Sequence, residues 1–222
     1  MKRDLPREAG PDNKRNRTRI RLTEAALKVM SERGITAASV GEIAAAADMA
    51  NGTFYLHFRN KNEIVAAVCG GVTLAMHTEM DGRRLAITDG AERVAFGTQQ
   101  FVEIAADEPV WGRLLLSAFT EFDEIKEDLS RYMRLDVRLG IEQGRFSEPC
   151  DEFVIDCLLA LLRTAIAARL AGAGREVGAR AAEYQLRTLG MTPGEAHRVR
   201  LASDMHVDNG DTTAKAATRA RK

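Results

Sequence analysis

The chain has 222 residues, 45% apolar and 29% charged, with basic and acidic side chains equal at 32 each. That is a globular composition, and its alanine-rich, aromatic-poor balance favours helix over sheet. The longest apolar run, 158–170, is too short to span a bilayer and carries Arg163 and Arg169. The first residues lack the apolar core of a signal peptide, so a cytoplasmic protein without membrane partners is expected. Cys69, Cys150 and Cys157 make neither an even disulfide set nor a metal-ligand spacing, and buried thiols are expected.

A net charge of zero argues against a general nucleic-acid binder, but the charge is unevenly placed. Residues 1–62 hold 12 basic against 7 acidic side chains, residues 63–170 hold 11 against 19, and residues 171–222 hold 9 against 6. A basic head on an acidic body suits a localised polyanion site, although a merely solvated asymmetry gives the same count.

In chain order, residues 1–13 read as a polar leader. The basic run Lys14, Arg15, Arg17, Arg19, Arg21 enters a helix whose stripe is Leu22, Ala25, Ala26, Val29 and Met30, and Gly34 stops it. Ser39-Val40-Gly41-Glu42 is a capping box opening a short second helix, with Val40, Ile43, Ala44 and Ala47 inward. After the break Asp48-Met49-Ala50, a third helix covers about 51–58, with Phe54 and Phe58 facing the core. Asn60-Lys61-Asn62-Glu63 is a second capping box, opening a fourth helix with Ile64, Val65 and Val68 inside.

Five further helices are predicted. Asp89-x-x-Glu92 caps one that stops before Pro109, and Pro109 opens a short one through Phe119 that holds Trp111. The next runs from Asp123 to about Gly144. Ser147-Glu148-Pro149 starts one reaching about Ala171, and the last covers 175–189 before Gly190 and Pro193. After Ala202 the chain turns small and polar, which predicts a disordered tail over 203–222. The fold class expected is all-α, with three parts: a three-helix head at 14–62, a helical body at 63–202, and the tail.

A capped short helix, a three-residue turn and a second short helix make a helix-turn-helix. Small Ala44 and Ala47 let the third helix cross the second closely. Left outward near its start are Asn51, Gly52, Thr53, Tyr55, Leu56 and His57. Their amide, hydroxyl and imidazole groups can reach base edges and phosphates, and Gly52 lets a duplex come close. The helix start itself favours phosphate.

The run Ser39-Val40-x-x-Ile43-Ala44 … Asn51-Gly52-Thr53-Phe54-Tyr55-x-His57-Phe58-x-Asn60-Lys61-x-Glu63-Ile64 resembles the signature of the tetracycline-repressor (TetR) family. Ala25-Ala26-x-x-Val29-Met30-x-x-x-Gly34 fits that family's first helix. The likeness covers roughly residues 17–70, and the remainder agrees only in length and helical layout. It implies a DNA-binding head, a helical body for ligand binding and dimerisation, and repression relieved by a small molecule. Carried over by position, Thr53 and Tyr55 resemble residues that contact phosphate or bases, His57 a backbone contact, and Lys61 a phosphate-binding lysine. Arg17 and Ser39 complete the expected DNA-binding set, although a solvated basic face is the plainer reading of Arg17 and Arg19. The chain departs from the family at Ala50 (often a capping serine), at Met30 (often phenylalanine), and at Asp48 (often glycine). Asn51 is expected to share the capping task, and Asp48 is tolerable because Asp enters the left-handed region.

In the body, Trp111, Phe119, Phe122, Met133 and Asp136 are the expected lining of an effector pocket, with ordinary helix packing as the competing reading for the first four and a solvated acid for Asp136. Residues 153–170 are apolar nearly all round and 175–189 offer a small-residue face. Leu158, Leu162, Ile166, Ala182, Leu186 and Leu189 are therefore expected at a two-fold homodimer interface. The four histidines make no metal cluster, and no phosphate loop, nucleophile elbow or paired carboxylate is present, so neither cofactor nor enzymatic activity is expected. The function expected is a DNA-binding repressor released from a palindromic operator on double-stranded DNA by a small apolar effector. The alternatives are a DNA-binding protein without effector, or a helical lipophile-binding or enzymatic domain.

Overall fold

The structure is a computed structural model. It describes the backbone of residues 14–121 and 123–219, and their side chains apart from 14, 120, 121, 123–125, 128, 129 and 207–219. All regular structure among the described residues is helical. The elements are α1 (Lys14–Arg33), α2 (Val40–Ala46), α3 (Asn51–Tyr55), α4 (Lys61–Arg84), α5 (Gly90–Asp107), α6 (Pro109–Glu121), α7 (Asp123–Glu142), α8 (Glu152–Leu170), α9 (Glu176–Thr188) and α10 (Pro193–Arg219). None of these helices, over the described residues, is long and apolar enough to cross a membrane.

Two compact units result: residues 1–76 with 108–129, and residues 77–107 with 130–222. The linear boundary expected at 62/63 is therefore not where the chain divides. α6 folds with the head, and α4 contributes its beginning to the first unit and its end to the second.

In the first unit, Leu22, Ala26 and Met30 of α1 are buried with Ile43, Ala44, Phe54, Phe58, Ile64, Val65 and Val68. Gly34, at φ 83°, ends α1, and its N–H donates to the Met30 carbonyl at 2.8 Å. Both halves of the predicted capping box form at α2: Ser39 Oγ accepts from Glu42 N, and Ser39 N donates to Glu42 Oε2. Asp48 sits at φ 56°, the left-handed conformation anticipated for it. The box predicted at α4 forms by half. Asn60 Oδ1 accepts from Glu63 N, but the Glu63 carboxylate takes the Arg59 N–H instead of that of Asn60. α6 packs on α1, burying Trp111, Leu114, Leu115 and Ala118.

The second unit is built around α5, which touches α8, α9 and α10. Gln185 of α9 is fully buried and saturated, its oxygen accepting from Thr98 Oγ1 and its amide donating to the Leu158 carbonyl at 2.8 Å. Gln99 donates to Ser203 Oγ at 2.9 Å, which ties α5 to α10. Each bond here prevents a buried polar group from being left unmade, a loss of about 1–3 kcal/mol. α8 is capped by Asp151, not by Ser147 as the sequence suggested, with Asp151 Oδ1 accepting from Val154 N at 2.9 Å. α10 was not foreseen as an element. Thr192 and Glu195 open it with a reciprocal capping box, and it runs through Arg219 across the segment expected to be a disordered tail. That expectation weighed only the lack of large apolar residues. Ser203 is fully buried and Arg200 pairs with Asp204 one turn on, while the alanines that follow are strong helix formers.

The six residues expected at the dimer interface are buried within this single chain: Leu158, Ile166, Ala182, Leu186 and Leu189 at 0% exposure and Leu162 at 4%. The apolar girth of α8 is covered by α5 and α9 of its own unit. α8 and α9 present outward Phe153, Ala160, Thr164, Ala167 and Tyr184 among charged Glu152, Arg163, Glu176, Arg180 and Arg187.

The closest helix crossing in the unit follows from a missing side chain. A Cβ on Gly90 would lie 2.3 Å from the Gly140 nitrogen and 2.7 Å from its Cα, so α5 and α7 meet backbone to backbone. Gly97, also on α5, has nothing within 4 Å of the same position. Gly90→Ala is expected to lower stability by on the order of 1–3 kcal/mol in urea unfolding. Gly97→Ala should be neutral or raise stability by up to about 1 kcal/mol. Equal effects would mean that the crossing yields easily.

Candidate nucleic-acid interface and buried polar cluster

α3 is five residues long, and its N-cap Ala50 makes no side-chain cap bond. So short a segment is held by what lies beneath it. Phe54 and Phe58 are 0% and 1% exposed, with ring centroids 5.6 Å apart, and Tyr55 meets Phe54 edge-on at 5.4 Å. Outward are Asn51 and Gly52, with Thr53 and His57 half-buried and Tyr55 59% exposed. A Cβ at Gly52 would meet nothing within 4 Å, so no contact inside the chain calls for glycine there.

Two arginines of the basic run turn out to brace this segment. Arg19 donates to the His57 carbonyl at 3.0 Å, lies 4.3 Å over the Phe58 ring and comes within 4.0 Å of Glu63. Arg21 donates to the Ala47 carbonyl at 2.8 Å, fixing the turn between α2 and α3. Nothing in the local sequence separates them from their neighbours Arg15 and Arg17. Ser39 directs both its N–H and its hydroxyl at Glu42, so in this structure it serves α2 and has no donor to spare for a phosphate. Lys61 Nζ donates to the Thr36 carbonyl at 2.8 Å. The His57 imidazole is held below its usual pKa by burial and by Arg15 and Arg19.

The residues expected to line an effector pocket are not gathered in one unit. Trp111 is buried in the core of the first unit, where Phe119 is half-buried; Phe122 lies outside the described residues. Met133 and Asp136 belong to the second unit. Asp136 is no open ligand anchor. It is 5% exposed, accepts from Arg84 at 2.6 Å and has Arg93 at 4.0 Å. Burial raises its pKa to about 6 against the pull of both arginines.

Beside that ion pair lies a residue the sequence reading passed over. His77, on α4, is 7% exposed and stacks on Tyr132 with ring centroids 3.7 Å apart and planes at 21°. Phe101 closes another side at 5.6 Å. Neither imidazole nitrogen has a hydrogen-bond partner among the described residues. Burial, with Arg84 and Arg131 adding to it, pushes the pKa down to about 3. Only the three-dimensional neighbours reveal this, since a lone histidine on a helix carries no spacing signal.

Residues 22–68 match the family described as bacterial regulatory proteins, tetR family, and residues 89–201 match the tetracyclin repressor-like C-terminal domain. The chain belongs to the tetR family. Among its relatives is YvdT of Bacillus subtilis (strain 168), an uncharacterized HTH-type transcriptional regulator, 35% identical over 63 residues, covering 28% of this chain and 32% of YvdT. BetI of Pseudomonas fluorescens, also an HTH-type transcriptional regulator, is 35% identical over 75 residues, 34% of this chain and 38% of BetI. The chain thus aligns with about a third of the length of each relative. Among solved structures, RolR in complex with resorcinol is 27% identical, with a TM-score of 0.68 over 84% of this chain and 94% of RolR. The tetR-family head is thus the helix-turn-helix described above, and the family's helical C-terminal domain follows it.

The two buried titratable groups shift stability with pH in opposite senses. The unfolded chain protonates His77 near 6.5, the folded chain not until about 3, so acidification across that window favours unfolding. Asp136 protonates near 6 when folded and near 3.8 when unfolded, which favours the folded state as pH falls between those values. His77→Phe is therefore expected to lose less stability than the wild type between roughly pH 7 and 5, read from urea midpoints. An unchanged pH dependence would show that His77 protonates freely in the folded protein.

Proposed function

We propose that this protein is a homodimeric repressor that binds a near-palindromic operator through two heads and releases it when a small molecule occupies the body. The observation that carries the reading is α3: a segment anchored by Phe54 and Phe58 whose outward side is Asn51, Gly52, Thr53 and Tyr55. Asn51 and Thr53 read base edges, while Tyr55, His57, Lys61 and Arg17 hold the backbone. Lys61 exchanges its bond with the Thr36 carbonyl for a phosphate oxygen, which is the stronger, charge-assisted partner.

Dimerisation uses the outer side of α8 and α9. A surface groove of about 490 Å³ there is lined by Leu161, Tyr184, Arg187, Thr188, Met191 and Pro193, and Phe153 stands 77% exposed on α8. An apolar, part-aromatic face of this kind suits a self-complementary contact. Support for a small-molecule effector comes from the similarity to RolR, which was crystallised with resorcinol. Release requires that the ligand bind the DNA-free arrangement more tightly than the DNA-bound one.

Fluorescence anisotropy with a duplex selected by the purified protein from a random pool tests the head. Lys61→Ala should weaken binding to every sequence alike and reduce the salt slope by about one unit. Asn51→Ala should change which base pair is preferred, costing about 1–3 kcal/mol at that position. If neither variant alters binding, α3 is not the reading element. Tyr184→Asp, a surface change at 45% exposure, should leave the helical signal intact but yield monomers in ultracentrifugation and weaken operator binding. A Tyr184→Asp protein that remains dimeric would move the interface elsewhere.

A further inference from the structure

We infer that His77 is the specificity-determining contact for the effector, and that the effector is a small, uncharged, flat aromatic molecule bearing a hydroxyl group that hydrogen-bonds to the imidazole. The inference rests on the effector-responsive reading above and names the ligand's chemistry.

In this second unit Gln185, Gln99 and Ser203 are buried and each makes side-chain hydrogen bonds. His77 is as deeply buried, at 7% exposure, yet both its nitrogens are idle among the described residues. A buried polar group left without a partner is unfavourable and calls for a partner that the chain itself does not supply. Its surroundings restrict what that ligand can be. With Arg84 and Arg131 nearby and the ring out of water, the imidazole is neutral, offering one donor and one acceptor. A hydroxyl both donates and accepts, so it satisfies either nitrogen in either tautomer. A carboxylate can only accept, and an ammonium can only donate. The Asp136 carboxylate, already paired with Arg84, has no need of a cationic ligand.

The walls point to a flat ring. Tyr132 and Phe101 flank His77, and the Arg84 and Arg131 guanidinium groups lie 5.7 and 5.3 Å from the Tyr132 ring. Rings and guanidinium planes attract a polarisable π face more than a flexible alkyl chain. Tyr132 is only half-buried, so the cluster is reached past its edge.

The test is calorimetric binding of resorcinol, phenol, toluene, benzoate and decanoate to the full-length protein, paired with operator release by the same compounds. The wild type should bind the two phenols and discriminate against the other three. His77→Phe keeps the ring and the stack but removes both nitrogens. It should bind phenols about tenfold more weakly and toluene no worse. Should that variant fail to fold, His77→Asn, which keeps a donor and an acceptor, should retain a preference for phenol over toluene. Equal binding of phenols by wild type and His77→Phe overturns the inference, as does a wild type that binds none of them. If decanoate or benzoate alone releases the operator, the effector reading stands and this one fails. If phenols bind through His77 without releasing the operator, the site stands and the switch is lost.

Discussion

A five-residue helix has no stability of its own, because nucleating a helical turn is unfavourable and α3 ends before propagation can compensate. Its position is imposed by its neighbours. Phe54 and Phe58 hold it from below, Arg19 holds the carbonyl of His57 just beyond its end, and Arg21 holds the turn before it. The surface that meets DNA is therefore only as rigid as the α1 contacts beneath it. Part of the head's basic excess is committed to this task. Arg19, Arg21 and Lys61 all donate to backbone carbonyls, and Arg15 and Arg17 are exposed. Counting charges overstates what the head offers a duplex, and the phosphate role proposed for Lys61 requires it to leave a partner it already has.

Local chemistry was legible in the sequence wherever one segment determines itself. The Ser39–Glu42 box, the left-handed Asp48, the stop at Gly34 and the stripe of α1 depend on residues a few positions apart. The Thr192–Glu195 box was equally local and was missed, because attention to Pro193 as a stop obscured its role as a start. Non-local facts were not legible. The apolar girth of α8 does show that the helix is covered on two sides, but not whether the cover is its own chain. α5 and α9 supply it, so Leu158 and Leu186 are core rather than interface. Trp111 invited a pocket reading because it is large and solitary, yet it is part of the α6 packing on α1. Asp136 was expected as pocket lining, and the sequence did not suggest its ion pair. Its partner, Arg84, lies 52 residues away, beyond any periodicity argument.

The second unit treats its buried polar groups in two ways, and the contrast is informative. Gln185 spans α5 and α8, and Gln99 reaches α10; each is hydrogen-bonded across helices and fixes them in register. The Arg84–Asp136 pair is a different case. Desolvating two charges offsets much of their attraction, so its value lies in specifying one arrangement of α4 and α7 more than in net stability. Removing either partner would leave a buried charge exposed to the full desolvation penalty. His77 stands next to this pair with no such partner among the described residues, the reverse of Gln185 and Gln99.

That reversal has an energetic meaning for a ligand-controlled protein. A group whose hydrogen-bonding need is met only when a ligand is present makes the ligand-bound state more favourable than the sum of new contacts implies, because binding also removes an existing deficit. The same deficit sharpens selection. A molecule lacking the hydroxyl gains the apolar contacts but leaves the imidazole unpaired, and sites of this kind reject such analogues far more strongly than apolar pockets distinguish sizes. Selectivity alone does not make a switch, however. α4 carries Lys61 in its first turn and His77 further along the same helix. For ligand binding to reach the DNA contacts, the two arrangements of the protein must differ in how well they hold the ligand, and a tenfold change in operator affinity needs only about 1.4 kcal/mol of that difference. One hydrogen bond present in one arrangement and strained in the other is of that size, so a single imidazole suffices as the element through which a small hydroxylated ring is coupled to release.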